Sequence, residues 1–195
     1  MPDTLPPAYF AAKGGQGTTV IAASLALTHA KTGRRTLLID AAEHHDTYAA
    51  LGCPEPIEPN AVTEVVPNLD LVAIDPDASA EEFDTTGYEV AVIDFGQKRP
   101  TVGTATIVTR ACYLALRRAL AVTPPPDNAI VIAEPGRALD DTDVASVLGL
   151  PIVATIRTDQ SVARTVDAGL LASRVPQAIE RHGYELVHAP TAVTT

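Results

Sequence analysis

One glycine-rich stretch near the start of the chain constrains the fold more than any other feature. Residues 13–19 read Lys-Gly-Gly-Gln-Gly-Thr-Thr and lie between an apolar run, 8–12, and an alanine-rich stretch with helical spacing, 19–32. Glycines let the backbone turn tightly and direct its N–H groups at an anion, and the positive end of the following helix dipole favours the same ligand. The stretch predicts a strand, a phosphate-binding loop and a helix, in that order.

The loop departs from the usual phosphate-binding motif at one position. That motif is G-x-x-x-x-G-K-[ST], in which the lysine reaches the β- and γ-phosphates and the hydroxyl binds Mg²⁺. Here Thr18 follows Gly17 where the motif has lysine, and Lys13 stands at the start of the loop. A glycine-rich turn without a ligand is the alternative interpretation, since short glycine motifs also occur by chance. The loop therefore argues for the fold more strongly than for hydrolysis.

The remainder of the chain alternates apolar segments with stretches of helical periodicity. Further strands are predicted at 36–40, 69–74, 88–94, 104–109, 129–133 and 151–156, and further helices at 111–120, 142–148, 162–173 and 176–181. Strands that are apolar at nearly every position are usually buried on both faces, as in a parallel sheet between helix layers. We therefore predict a doubly wound α/β fold with a mostly parallel sheet. One domain is expected over residues 1–189 and a flexible tail over 190–195, and the proline-rich stretch 53–68 is predicted to be a loop with at most a short helix.

Two aspartates follow apolar runs at the ends of predicted strands. Asp40 ends Thr-Leu-Leu-Ile-Asp and Asp94 ends Val-Ala-Val-Ile-Asp. In open α/β sheets ligands bind outside the carboxyl ends of the strands, and Mg²⁺ takes oxygen ligands while keeping several waters. Each aspartate could also simply cap the turn after its strand. Together with the loop, the pair predicts a magnesium site.

Composition narrows the classes of protein that fit. The formal net charge is −10 over 195 residues, which disfavours nucleic-acid binding by a monomer but does not exclude a basic patch assembled in a dimer. The N-terminus lacks the basic region of a secretory signal, and no apolar run is long enough to cross a bilayer. Two cysteines, Cys53 and Cys112, suit free thiols in the reducing cytoplasm. The sequence predicts a cytoplasmic protein without membrane attachment.

These motifs together resemble the deviant Walker A loop, K-G-G-x-G-K-[ST], and the acidic strand ends of the ParA/MinD family of P-loop ATPases. The matching positions are Lys13, Gly14, Gly15, Gly17, Thr19, Asp40 and Asp94. The resemblance implies ATP or ADP with Mg²⁺ as cofactors and a homodimer in which Lys13 reaches the partner's nucleotide. It implies phosphate binding by Lys13, Gly14, Gly15, Gln16, Gly17, Thr18 and Thr19, catalytic roles for Lys13 and Asp40, and magnesium binding by Thr19, Asp40 and Asp94.

Two positions depart from that family at catalytic residues. The second lysine of the loop is replaced by Thr18, and Ala42 stands where the family has an aspartate that positions water. A methyl group can neither orient water nor accept a proton, although Glu43, His45 or Asp46 could substitute by lying nearby. The segment between Asp94 and the next strand is also short for the family, so its helix is expected to be missing or reduced. At most a weak ATPase is expected.

Three functions remain open from the sequence. The first is a ParA-like nucleotide-binding protein for DNA partition or intracellular positioning, with a ParB-like partner or DNA. The second is a degenerate scaffold or filament subunit, as implied by a likeness to the CpaE/TadZ proteins. A ligase similar to dethiobiotin synthetases is the third, although no second substrate site is visible.

The helical spacing predicts that one helix face carries Arg110, Arg117 and Arg118. This face could bind DNA or an acidic partner, or it could simply be solvated. The two adjacent histidines, His44 and His45, are not spaced to bind the same metal ion.

Overall fold

The computed structural model describes residues 6–56, 58, 60–75, 84–101 and 103–188, with side chains in the last helix given up to residue 181 and at 183. The strands within these ranges are β1 (Ala8–Phe10), β2 (Thr36–Asp40), β3 (Thr63–Val66), β4 (Leu69–Ala73), β5 (Val90–Asp94), β6 (Ala105–Arg110), β7 (Asn128–Ala133) and β8 (Ile152–Arg157). The helices are α1 (Thr18–Lys31), α2 (Asp46–Leu51), α3 (Tyr113–Ala119), α4 (Asp141–Leu148), α5 (Gln160–Asp167) and α6 (Gln177–His188).

The strands form one twisted layer with the order β3-β4-β2-β5-β1-β6-β7-β8. Every pairing is parallel except that of β3 with β4, which is antiparallel. The predicted doubly wound, mostly parallel sheet is confirmed. The chain moves from β1 toward one edge and later returns to build β6, β7 and β8 on the other side. Ligands in such sheets bind at this reversal, beyond the carboxyl end of β1.

Successive residues of the central strands supply cores on opposite faces of the sheet. Leu38 packs into the core that holds α1 and α6, while its neighbours Leu37 and Ile39 pack into the core on the other face. All five residues of β2 are buried. Because side chains alternate along a strand, this double burial explains why the strands are apolar at almost every position.

Several element boundaries differ from the sequence predictions. The predicted loop 53–68 contains β3, and α2 precedes it, so the loop prediction was wrong over these four strand residues. The helix predicted at 162–173 begins instead at Gln160, because Asp159 accepts hydrogen bonds from the first turn, and it ends at Asp167, just before left-handed Gly169. The last helix continues beyond the predicted residue 181. The predicted tail at 190–195 lies outside the described residues.

No helix occurs among the described residues between β5 and β6, as the sequence predicted for a shortened segment. The helix predicted at 142–148 begins within the acidic run 140–143, where Asp140 accepts from the Asp143 N–H while the Asp143 side chain accepts from the Asp140 N–H. This reciprocal pair satisfies two N–H groups that the first helical turn leaves without an intrahelical acceptor.

Candidate nucleotide-binding site

The glycine-rich loop connects β1 to α1 at the carboxyl end of the central strand. Gly15 and Gly17 have φ values of 74° and 94°, in the left-handed region that favours glycine, so the backbone reversal here depends on them. Gly17 is the N-cap of α1, and as a glycine it supplies no side chain to cap the N–H groups in the first turn of the helix. These N–H groups and the dipole of a 14-residue helix are therefore directed at the space in front of the loop.

That space is a cavity of about 800 Å³. Its wall contains every loop residue predicted to bind phosphate: Lys13, Gly14, Gly15, Gln16, Gly17, Thr18 and Thr19. The residues after β2 and β5 complete the wall, together with Val166, Asp167 and Gly169 from the end of α5. The structure thus brings the whole predicted loop to one concave surface of a size that suits a small ligand.

The two predicted magnesium-binding aspartates lie side by side behind this wall. Asp40 and Asp94 are directly opposite each other in the register of β2 and β5, and both are completely buried. Oδ1 of Asp94 accepts from the Gly96 N–H at 2.9 Å, whereas its Oδ2 is buried without a hydrogen-bond partner among the described residues. Burial, reinforced by the negative charge of Asp40, raises the pKa of Asp94 to about 6, although the Thr19 hydroxyl and the Gly96 N–H oppose this rise.

Asp40 differs from Asp94 because both of its oxygens are already used. Oδ1 accepts from the Ala42 N–H at 2.9 Å, and Oδ2 accepts from the Thr47 N–H at 3.2 Å in the first turn of α2. A third neighbour of this carboxylate is His45, whose Nδ1 lies 3.5 Å from Asp40 Oδ1. Asp40 therefore caps the turn after its strand and fixes the start of α2, which is one of the two roles that the sequence left open.

These groups fit a hard divalent cation. The Asp94 carboxylate has an oxygen without a partner and a raised pKa, and the Thr19 hydroxyl lies in the cavity wall beside it. Oxygen donors of this kind suit Mg²⁺, which also keeps several of its own waters. Within the described ranges no three His, Cys, Asp or Glu side chains gather around one point, so His44 and His45 form no metal cluster there.

Ala42, at the position of the missing aspartate, belongs to the cavity wall and lies close to the backbone after β5. A Cβ atom on Gly96 would lie 2.8 Å from the Ala42 Cβ, so the methyl group closes against the backbone after β5. Of the three candidate substitutes, Glu43 and Asp46 line the cavity, whereas His45 faces the Asp40 carboxylate. Two carboxylates are therefore near the phosphate loop, and neither occupies the place of Ala42.

A second cavity of about 700 Å³ adjoins the first and shares five lining residues with it, Gln16, Gly17, Val20, Val166 and Asp167. The polar residues of its wall were not identified as site residues from the sequence. Glu134 binds two arginines, with Oε1 2.7 Å from Arg110 Nη1 and Oε2 2.6 Å from Arg137 Nη2. The buried Gln16 side chain accepts from the Arg110 N–H at 3.0 Å and so ties the loop to the end of β6.

The position of Arg110 shows that the three arginines expected on one helix face do not share a helix. Arg110 ends strand β6 rather than lying on a helix, and its guanidinium pairs with Glu134. Only Arg117 and Arg118 belong to α3, where both are exposed. The helical spacing of the three residues was therefore coincidental, because the strand continues through Arg110. None of the helices in the described part of the chain combines the length and the apolar character that crossing a membrane requires.

Several proteins of known structure are similar in fold to this chain. No protein-family model matches the sequence. The structure is similar to a ParA family ATPase from Chlorobium tepidum, with a TM-score of 0.68 and 18% identity over 92% of this chain and 96% of that one. It is similar to the MinC:MinD cell division protein complex of Aquifex aeolicus, with a TM-score of 0.73 and 18% identity over 97% and 98%.

A third similar structure is the septum site-determining protein MinD of Pyrococcus horikoshii, which was solved with Mg-ADP. Its TM-score is 0.72 and its identity 16%, over 93% of this chain and 95% of that one. All three similarities span nearly the whole of both chains. At identities this low they establish the fold.

Proposed function

From the ParA/MinD ATPase fold of this chain and the phosphate loop it carries, we propose that the protein binds ATP or ADP with Mg²⁺ and acts as a nucleotide-dependent positioning or partition protein. One observation carries the proposal. The loop directs the open N-terminus of α1 at a cavity beside a buried carboxylate that has an oxygen without a partner. An anionic ligand and a divalent cation together would satisfy both groups.

Each residue of the site has a role in this proposal. The loop N–H groups bind the phosphates, and Lys13 reaches the nucleotide of a second copy of the chain. Thr19 and Asp94 hold Mg²⁺, and Asp40 orders the water shell while fixing α2. A bound Mg²⁺ ion would offset the negative charge of the phosphates. The second cavity beside Gln16 would take the nucleoside, since it adjoins the loop at the start of α1.

Hydrolysis is proposed to be slow or absent. Phosphoryl transfer depends on positioning the attacking water and on stabilising charge at the transferred phosphate. Thr18 removes the lysine of the loop, and Ala42 supplies neither a hydrogen-bond acceptor nor a base. Glu43, on the turn after Ala42, and Asp46, the first residue of α2, line the same cavity, but both are exposed and are therefore poor supports for an ordered water.

Dimerisation would couple nucleotide binding to function. We propose a cytoplasmic homodimer formed across the phosphate cavities, with a partner protein or DNA that responds to its nucleotide state. The similarity to a MinD solved in complex with MinC supports a protein partner. The net charge of −10 favours a protein over DNA.

Thermal unfolding with and without millimolar ATP and Mg²⁺ tests the proposal, with phosphate release timed on the same sample. A ligand at 100 times its dissociation constant stabilises the folded state by about 2.7 kcal/mol, which raises Tm by about 5–11 °C in a chain of this size. We expect such a rise with little phosphate release. Thr19→Val, which removes only the hydroxyl, should lose the part of the rise that depends on Mg²⁺. Unchanged unfolding at millimolar ATP would refute nucleotide binding.

A scaffold role is the second candidate, and the replacements at Thr18 and Ala42 favour it. Such a protein would self-associate without nucleotide turnover. Sedimentation with and without ATP separates the two: the positioning protein should dimerise only with ATP and lose this response on Lys13→Ala, whereas a scaffold should associate in every case.

A further inference from the structure

The phosphate cavity lacks the lysine that a phosphate loop ordinarily supplies from within its own subunit. Thr18 stands in its place and is almost completely buried. The cavity wall also carries three carboxylates, from Glu43, Asp46 and Asp167. A di- or triphosphate placed here would face these negative charges, so the arrangement requires cations from elsewhere in the wall.

The positions of the lysines indicate which side chains could supply positive charge to the phosphates. The whole chain contains three lysines, Lys13, Lys31 and Lys98. Two of them, Lys13 and Lys98, line the phosphate cavity. The third lies on the opposite part of α1, where Lys31 Nζ is 2.8 Å from Glu180 Oε1 at the surface. Lysine carries a compact positive charge that binds phosphate, as the lysine of the usual phosphate loop does.

The segment that carries Lys98 is fixed beside the loop. Gly96 O accepts from the Ala11 N–H at 2.8 Å, and the Lys98 N–H closes a tight turn by donating to Phe95 O at 2.9 Å. Gln97 packs beside the loop, because a Cβ atom on Gly14 would lie 3.5 Å from its Nε2. These contacts hold the turn after β5 against the phosphate loop and place Lys98 in the cavity wall.

The adjacent Arg99 binds to backbone carbonyl oxygens of three prolines. The Arg99 guanidinium donates to the carbonyl oxygens of Pro124, Pro100 and Pro125 at 2.7, 2.6 and 3.0 Å. It therefore anchors the proline-rich segment before β7, outside the cavity. Of these two adjacent cations, Lys98 is the one that lines the phosphate cavity.

We propose that Lys98 makes the contact to the β- or γ-phosphate, within its own subunit, that the loop lysine makes in the usual motif. This proposal rests on the proposed nucleotide binding. Lys98 would then act independently of Lys13 and would tie the turn after β5 to the phosphates, so that this turn senses whether the nucleotide is present. The relevant ligand class is a nucleoside di- or triphosphate, because a monophosphate ends short of this contact.

Calorimetric titration of Mg-ADP and of AMP into the full chain tests the assignment, with Lys31→Ala as the matched control. A hydrogen bond between charged groups corresponds to about a tenfold to hundredfold change in affinity. We expect Lys98→Ala to weaken Mg-ADP by that factor and to leave AMP within about twofold, with partial recovery in Lys98→Arg. Lys31→Ala should bind as the unchanged protein does. Equal Mg-ADP affinity in Lys98→Ala would overturn the assignment and leave nucleotide binding intact, whereas no binding by the unchanged protein would overturn both.

Amine labelling gives a second readout that needs no substitution. A small acylating reagent should modify Lys13, Lys31 and Lys98, and peptide mass spectrometry resolves the three sites. Saturating Mg-ADP should reduce the labelling rate at Lys98 severalfold and leave the rate at Lys31 unchanged. Equal labelling of Lys98 with and without bound Mg-ADP would contradict the contact.

Discussion

Replacing Asp94 with asparagine should make the protein more stable at neutral pH. Burial raises the pKa of Asp94 from its ordinary value of 3.8 to about 6. A carboxyl group with a raised pKa contributes stability that is fully present below about pH 4 and is lost as pH rises through 6. At about 1.4 kcal/mol for each pH unit, the charged form costs up to about 3 kcal/mol at pH 7.5.

Asparagine removes that cost and keeps the observed contact. Its carbonyl oxygen can still accept from the Gly96 N–H, and its amide can donate toward the Asp40 carboxylate, which lies opposite in the sheet. We expect Asp94→Asn to raise the free energy of unfolding by about 1–3 kcal/mol at pH 7.5, or Tm by about 2–12 °C. Urea titrations in the presence of a chelator and without nucleotide measure this change.

The neighbouring aspartate provides the matched control. Both oxygens of Asp40 accept backbone hydrogen bonds, so Asp40→Asn would place an amide N–H against a backbone donor. That variant should lose about 1–3 kcal/mol. The gain from Asp94→Asn should also shrink as pH falls from 7.5 to 4.5. A destabilised Asp94→Asn protein, or a gain that does not change with pH, would refute the reasoning from burial.

The other predictions concern the frame around the site. Gly52 (φ 71°) and Gly33 (φ 86°) are both left-handed, but a Cβ atom on Gly52 would lie 2.4 Å from Gly169 O whereas one on Gly33 meets nothing within 4 Å. Gly52→Ala should therefore lower the free energy of unfolding by about 2–5 kcal/mol and Gly33→Ala by about 1–2 kcal/mol, as measured by urea unfolding. Equal losses would show that the close contact between Gly52 and Gly169, at the ends of α2 and α5, does not affect stability. Asp140→Ala should cost about 1 kcal/mol by removing the cap of α4, and an unchanged midpoint would contradict that role.

Features with a local signal were predictable from the sequence. The glycine loop, the apolar strands and the two aspartates at strand ends each depend on a few adjacent residues, and the parallel order follows from strand–helix alternation. The start of α4 was equally visible, because its capping residues are three positions apart. That both aspartates end strands was visible in the sequence, whereas their direct opposition in neighbouring strands depends on the strand order, which was not predicted.

Features that depend on distant contacts were not predictable. Strand β3 is only four residues long and is defined by its pairing with β4. Helix α2 starts where the Thr47 N–H reaches the Asp40 carboxylate, and its N-cap, His45, makes no side-chain cap. The link from Gln16 to Arg110 joins residues 94 positions apart. The arginine spacing that suggested one helix face failed because nothing in a short stretch shows where β6 ends.

The energetics of Asp94 bear on whether the loop still binds a ligand. A carboxylate held at neutral pH in a buried position, with one oxygen unpartnered, destabilises the folded chain, and the neighbouring Asp40 charge adds to the effect. Departures from local stability of this kind are expected at functional sites, where a ligand offsets them. A loop that had lost its ligand would be more stable with a neutral residue at this position. The left-handed glycines of the loop, the buried acid with one unpartnered oxygen and the two lysines in the cavity wall therefore support the proposal of a site that binds nucleotide without efficient hydrolysis.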